Sequence, residues 1–266
     1  MLCTTKIYKI LNTLYRKVLN FYKNFTIMVP RQHLEFNLFA RNKKRFMDDQ
    51  ERILQDMPLL KEMHKGSVKA FEILIDKYIT LISRTSFRIL CDRSDSEAVT
   101  EKVFVQLWYD AMSYDDRYTL AEWLLRRTCI YSRLRISRRR MLCLAGLRPE
   151  LFALSKPKVE NTDDFIATMA WEIFCRASAR MTPLQRIVFS LVELEQLPDY
   201  KVASITGLFN FRVGIALRRA RQKLTAELKH LGKQDDYDKY VGFIRRISDS
   251  LIDLKRLKGE IIRLCS

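Results

Sequence analysis

Apolar residues recur at helical spacing along almost the whole of this sequence, and very little in it can stop a helix. Val68, Phe71, Ile75, Tyr78, Ile79 and Ile82 fall on one face of a 3.6-residue period. Val99, Val103, Leu107 and Trp108 form a second stripe, and Leu120, Trp123, Leu124 and Ile130 a third. Seven glycines and six prolines are spread over 266 residues, too sparse a supply of turn chemistry for a chain of hairpins. The pattern predicts an all-α protein.

The interruptions are few enough to divide the chain. The polar run 92–96 (DRSDS) offers N-cap residues, and SYDDRY (113–118) makes a loop before a helix expected over about 119–140. Between 141 and 164 the pattern lapses, with Gly146, Pro149 and Pro157 and the polar run KPKVENTDD. That segment reads as an irregular linker between two small helical domains, 50–140 and 165–230. In the second domain Phe165, Ile166, Met169, Ile173, Phe174 and Ala177 make one stripe, and Thr182 with Pro183 opens a helix through Val188, Leu191 and Val192. Asp199 can cap a short helix (YKVASIT) that stops at Gly207, and a longer, arginine-rich helix follows from about Asn210 to Leu228. Helix, tight turn at glycine and basic second helix make a helix-turn-helix pattern.

Both ends are expected to be helical extensions. Residues 1–49 include a basic amphipathic helix over 7–25, suited to a membrane surface, to nucleic acid or to a partner protein. Met28 and Met47 also offer later starts. In the tail, 231–266, Tyr240, Ile244, Ile247, Leu251, Leu254 and Ile261 step by fours and threes, with Lys258 interrupting. That seam fits either a partner helix or the domain before it.

Charge is divided as sharply as hydrophobicity. The net charge is +17, which suits a polyanionic partner. Residues 1–47 carry ten Lys/Arg and one acid, 48–122 ten bases against fifteen acids, and 123–149 eight arginines and no acid. An acidic block beside an arginine block implies two faces for two partners.

Several function classes drop out. The six cysteines, Cys3, Cys91, Cys129, Cys143, Cys175 and Cys265, include no CxxC pair, and three histidines add no zinc spacing. They read as reduced thiols of a cytoplasmic protein. No run approaches the ~20 apolar residues of a membrane span. There is no glycine-rich phosphate loop, paired-carboxylate site or histidine constellation, so no enzyme, cofactor, metal or small-molecule substrate is expected.

Four segments carry a family resemblance. KGSVKAFEILIDKYITLISRTSFRIL (65–90), SDSEAVTEKVFVQLW (94–108) and TLAEWLLRRTCIYSRLRISRRR (119–140) resemble the second domain of extracytoplasmic-function sigma factors of bacterial RNA polymerase. MTPLQRIVFSLVELEQLPDYKVASITGLFNFRVGIALRRARQKL (181–224) resembles their fourth domain, the helix-turn-helix that reads the −35 element. The resemblance spans roughly residues 50–230.

It implies that Asp95, Glu97, Glu101, Phe104, Gln106 and Trp108 meet the clamp helices of RNA polymerase core. Near the −10 element it implies a base pocket from Tyr114, Asp116, Tyr118 and Trp123. It further implies phosphate contacts from Arg126, Arg127, Arg133, Arg135, Arg138, Arg139 and Arg140. Trp123 reads equally as core. At the −35 element Asn210 and Arg212 would meet base edges, while Arg218, Arg219, Arg221 and Lys223 would hold phosphates.

The chain departs from the family at Ala98 and Lys102, at Ile130 and Leu134, and at Phe209, Gly214, Ile215 and Ala216. The base-reading positions are altered while the arginine rows persist. The expectation is a sigma factor with weak intrinsic promoter readout on single- and double-stranded DNA. A DNA-binding or RNA-guided helper at the terminal helices would supply the address. The alternatives are a promoter-reading sigma controlled by an anti-sigma factor, and a helix-turn-helix regulator that no longer binds polymerase.

Overall fold

The computed structural model describes residues 55–110, 114, 118–144, 162–232, 236–248 and 253–265. The basic helix expected over 7–25, Asp116 and the middle of the expected linker lie outside these. Among the described residues every regular element is helical. In chain order these are α1 (55–64), α2 (Val68–Leu90), α3 (Arg93–Tyr109), α4 (Leu120–Leu144), α5 (Thr162–Arg180), α6 (Pro183–Phe189), α7 (Asp199–Thr206), α8 (Asn210–His230), α9 (Tyr237–Ile247) and α10 (Leu254–Cys265). A π-helical turn, Ser190–Leu194, extends α6.

Local chemistry sets most of these boundaries. Ser67 caps α2 by accepting from the Ala70 amide, and Asp92 caps α3 by accepting from the Asp95 amide at 2.8 Å. Between them Cys91, at φ 54°, ends α2 in the left-handed region. Thr182 and Gln185 form a reciprocal capping box with Pro183 in the first turn of α6. A second reciprocal pair, Thr119 with Glu122, opens α4, and the DRSDS and TPLQ signals point only to the other two. Gly207, at φ 70°, ends α7. Asp199 does not cap that helix. Pro198 holds the cap position, and Asp199 sits in the first turn, where its charge suits the helix dipole. α4 runs four residues past 140 and α5 starts at Thr162, so regular structure enters the expected linker from both sides.

α2 packs on α3 and α4, while α5 packs on α8 and α9, and α6 on α8. The two halves also meet. α4 touches α6 and α7, and α2 touches the π turn. Phe87 of α2 stacks on Trp171 of α5 with centroids 4.8 Å apart and planes 8° from parallel, and both are fully buried. Trp171 continues to Phe174 and Phe174 to Phe189, each at 5.5 Å. Such pairs add roughly 0.5–1.5 kcal/mol each beyond the area they bury. Buried side chains of both halves belong to one cluster.

A buried polar knot fastens the same junction. Arg88, 1% exposed, donates to Glu195 Oε1 (2.8 Å), the Leu194 carbonyl (2.9 Å), Ser248 Oγ (2.6 Å) and the Arg245 carbonyl (2.8 Å). Glu195 also receives Arg84 (2.7 Å) and the Thr85 hydroxyl (3.1 Å). One guanidinium thus ties α2, the end of the π turn and α9 together. Taking one partner from such a knot leaves an unpaired buried charge, a loss of about 3–5 kcal/mol.

The tail folds back on the chain rather than projecting for a partner. Tyr240 and Ile244 of α9 are buried against α5 and the π turn, and Leu257 and Ile261 of α10 are buried against α2 and α3. Lys258, out of phase with the seam, pairs with Asp76 at 2.6 Å.

Candidate functional site

α3 turns three sides to three neighbours. Val99, Val103, Phe104 and Leu107 face the core, and Phe104 is fully buried. Asp95 is turned to α4, where Arg135 reaches one oxygen at 2.8 Å and Arg139 contacts the other while also holding Asp92 at 2.9 Å. Gln106 accepts from the Tyr131 hydroxyl of α4, and Trp108 is half-buried with its ring 4.9 Å from Phe71. The third side carries Glu97 and Glu101 and is covered by α10. Glu97 takes Arg93 at 3.0 Å and Arg256 of α10 at 2.5 Å. Burial, together with the Glu260 carboxylate opposite, pushes Glu101 above the usual carboxylate range.

The seven arginines of α4 divide by what they face. Arg135 and Arg139 serve Asp95, and Arg140 donates to the Met181 carbonyl at 2.6 Å. Arg127 lies over the Trp123 ring at 4.9 Å, and Arg126 over the Tyr118 ring at 5.1 Å. Arg133 and Arg138 are exposed. Trp123 is buried, with Tyr114 edge-on at 6.4 Å. Ile130, which the third stripe assigns to the apolar side, is 45% exposed, because Cys129 and Ser132 take the inward positions beside it.

Tyr118, Glu122, Trp123, Arg126, Arg127 and Ile130 line a cleft of about 330 Å³ that α7 completes with Ser204 and Ile205. Arg126 donates across it to the carbonyls of Ser204 (3.0 Å) and Ile205 (3.4 Å), and Lys201 pairs with Glu122 at 3.3 Å. An aromatic and arginine-lined cleft on the first half is therefore walled on one side by α7.

α8 is the more open surface. Val213, Leu217, Ala220, Leu224 and Leu228 bury one face against α5 and α6, which turns Asn210, Arg212, Arg218 and Arg219 outward, all exposed. Arg221 instead pairs with Glu193 at 2.5 Å, and Lys223 donates to the Arg180 carbonyl and Gln185. Burial, with Arg140 and Arg219 nearby, lowers the Lys223 ammonium below its usual value. Two phenylalanines stand at the tip, 71% and 64% exposed and stacked at 5.9 Å: Phe209, noted in the sequence only for its altered identity, and Phe211, which carries no family signal. Periodicity marks Phe211, two residues before Val213 and out of phase with the stripe to Leu228. Phe209, four residues before Val213, continues that stripe and is exposed because it holds the N-cap position.

Cys91, Cys129 and Cys175 are free and buried, and burial pushes the Cys129 thiol up to about 12. Among the described residues no cluster of His, Cys, Asp and Glu could hold a metal, and no helix is long and apolar enough to cross a membrane.

The chain matches no protein-family model and no curated protein. Among solved structures it is similar to CnrH in complex with the cytosolic domain of CnrY, at 20% identity and a TM-score of 0.45, over 68% of this chain and 99% of that one. It is also similar to the sigma factor RpoE in complex with the anti-sigma factor NepR from Bartonella quintana. There the identity is 16% and the TM-score 0.44, over 60% of this chain and 98% of that one. A likeness this distant says nothing of what the chain does. The residues must carry that.

Proposed function

We propose that this chain is a sigma factor of the extracytoplasmic-function kind, acting in the cytoplasm on RNA polymerase core and promoter DNA, with no catalytic chemistry of its own. The observation that carries the reading is α8. It follows a glycine turn, anchors one apolar face in the domain, and sets Asn210, Arg212, Arg218 and Arg219 on the outward face. Phosphate contacts from such a row give affinity without sequence preference. Phe209, Phe211 and Ile215 are exposed at the N-terminal end of α8, where polar side chains would meet base edges, which supports weak intrinsic readout. The acidic side of α3 suits a basic clamp helix, whose attraction would speed and orient the encounter.

In this reading the cleft beside Trp123 receives an unpaired base once α7 has moved aside. A helper protein then supplies the address. The apolar faces of α9 and α10 are packed on the chain itself, so exposed Phe209 and Phe211 are the better docking point for it. Transcription reconstituted with purified core polymerase tests the reading. The chain should join core and start weakly on many templates. Strong initiation on one promoter without a helper would favour a self-sufficient sigma under anti-sigma control, and no association at low salt would favour a regulator independent of polymerase.

A further inference from the structure

We propose that the outer side of α2 and α3 is a seat for a basic amphipathic helix, filled in cis by α10, so that the chain's own C-terminal helix competes with polymerase for it. This inference rests on the proposed polymerase contact at α3. The fit of α10 is visible in its composition and contacts. Lys255, Arg256, Lys258 and Arg263 oppose one acid, Glu260, while Leu257 and Ile261 are fully buried against the seat. Arg256 takes Glu97 and Lys258 takes Asp76. A basic helix with an apolar edge is what this acidic side accommodates, and the same description fits a positively charged clamp helix. Both cannot lie on Glu97 and Glu101 at once.

α10 is also fastened in a way that lets it leave. α9, its neighbour in sequence, is held by buried hydrogen bonds, from Arg88 to Ser248 and to the Arg245 carbonyl, and from Arg245 to the Glu193 carbonyl at 2.7 Å. α10 is held by the apolar contact of Leu257 and Ile261 and by ion pairs at the surface, where Arg256 is 44% and Asp76 60% exposed. Glu260 pairs with Arg256 within α10 at 2.7 Å and also lies beside Glu101, so it is the one residue of α10 that brings a second carboxylate to the acidic seat. An incoming helix without an acid there would seat better.

The experiment uses the full chain and two opposed variants. Arg256→Glu with Lys258→Glu should loosen α10, and Glu260→Lys should tighten it. Hydrogen exchange across 254–265 should rise about ten-fold in the first and fall in the second, with α5 and α8 unchanged as the control for folding. Affinity for core polymerase should move the opposite way, about ten-fold tighter in the loosened variant and several-fold weaker in the tightened one. Exchange unmoved in both variants overturns the seat. Exchange that moves while polymerase affinity stays at the wild-type value overturns the competition alone. If wild type and both variants all fail to bind core polymerase, the proposed function falls, and the competition with it.

Discussion

α4 and α8 are two arginine-rich helices among the described residues, and they use their arginines in opposite ways. On α4 most of the guanidiniums face other parts of the chain: two serve Asp95, one the Met181 carbonyl and one the end of α7. On α8 Arg212, Arg218 and Arg219 face solvent. The residue type is the same, so the difference comes from what surrounds each helix. α4 is enclosed by α2, α3, α6 and α7, whereas α8 has a whole side open. An arginine row in a sequence therefore states a capacity for charge pairing, and the packing decides whether protein or nucleic acid uses it.

The contrast can be broken most forcefully at the buried extreme. Glu195→Ala strips Arg84 and Arg88 of their shared carboxylate and should lower unfolding free energy by about 3–5 kcal/mol in urea titrations. A loss under ~1 kcal/mol would mean the knot is dispensable. The middle of the range compares the two helices directly. Arg139→Ala leaves nearly buried Asp95 short of a partner and should cost about 1–3 kcal/mol. Arg218→Ala with Arg219→Ala should stay within about 0.5 kcal/mol of wild type. The same double variant should flatten the slope of log affinity for duplex DNA against log salt, by about 0.9 for each phosphate no longer neutralised and on every sequence alike. Equal stability losses at the two sites would erase the distinction between them.

The smallest effect concerns pH. Glu101 is raised in the folded chain, so folding favours its protonated form. The stabilisation is complete below its ordinary value of 4.5 and is lost as pH rises through the raised one. Melting temperature should therefore fall slightly across that window. Glu101→Gln should remove this part of the fall, and an identical pH profile in the variant would show that Glu101 does not sense α10.

Helix existence is legible because the apolar residues of α2, α5 and α8 keep phase, and the caps at Asp92 and Thr182 and the stop at Gly207 are legible because each needs a particular residue chemistry. The inward sides of α3 and α4 are harder to read. They bury Ser96, Thr100, Thr128 and Ser132 beside their apolar residues, so polarity does not mark which side faces in. That is why the pattern places Ile130 inside, where the packing leaves it exposed, and why nothing in it marks that Asp95 turns toward α4. Arg88 gives no warning either. It lies in the run SFRIL, and its acceptors arrive from segments more than a hundred residues away. Of the candidate site, the row on α8 is readable from periodicity. The walling of the cleft by α7, and the covering of α3 by α10, depend on how the halves dock, which no local pattern encodes.

The Arg88 knot also imposes a schedule. Its guanidinium is placed in α2, yet Ser248 and the Arg245 carbonyl that complete its coordination lie 160 and 157 positions downstream. During synthesis from the N-terminus the cation must stay hydrated until α9 has left the ribosome. The interior of the first half can therefore reach its final dryness only when nearly the whole polypeptide exists, which makes docking of the halves a late event in the life of each new molecule.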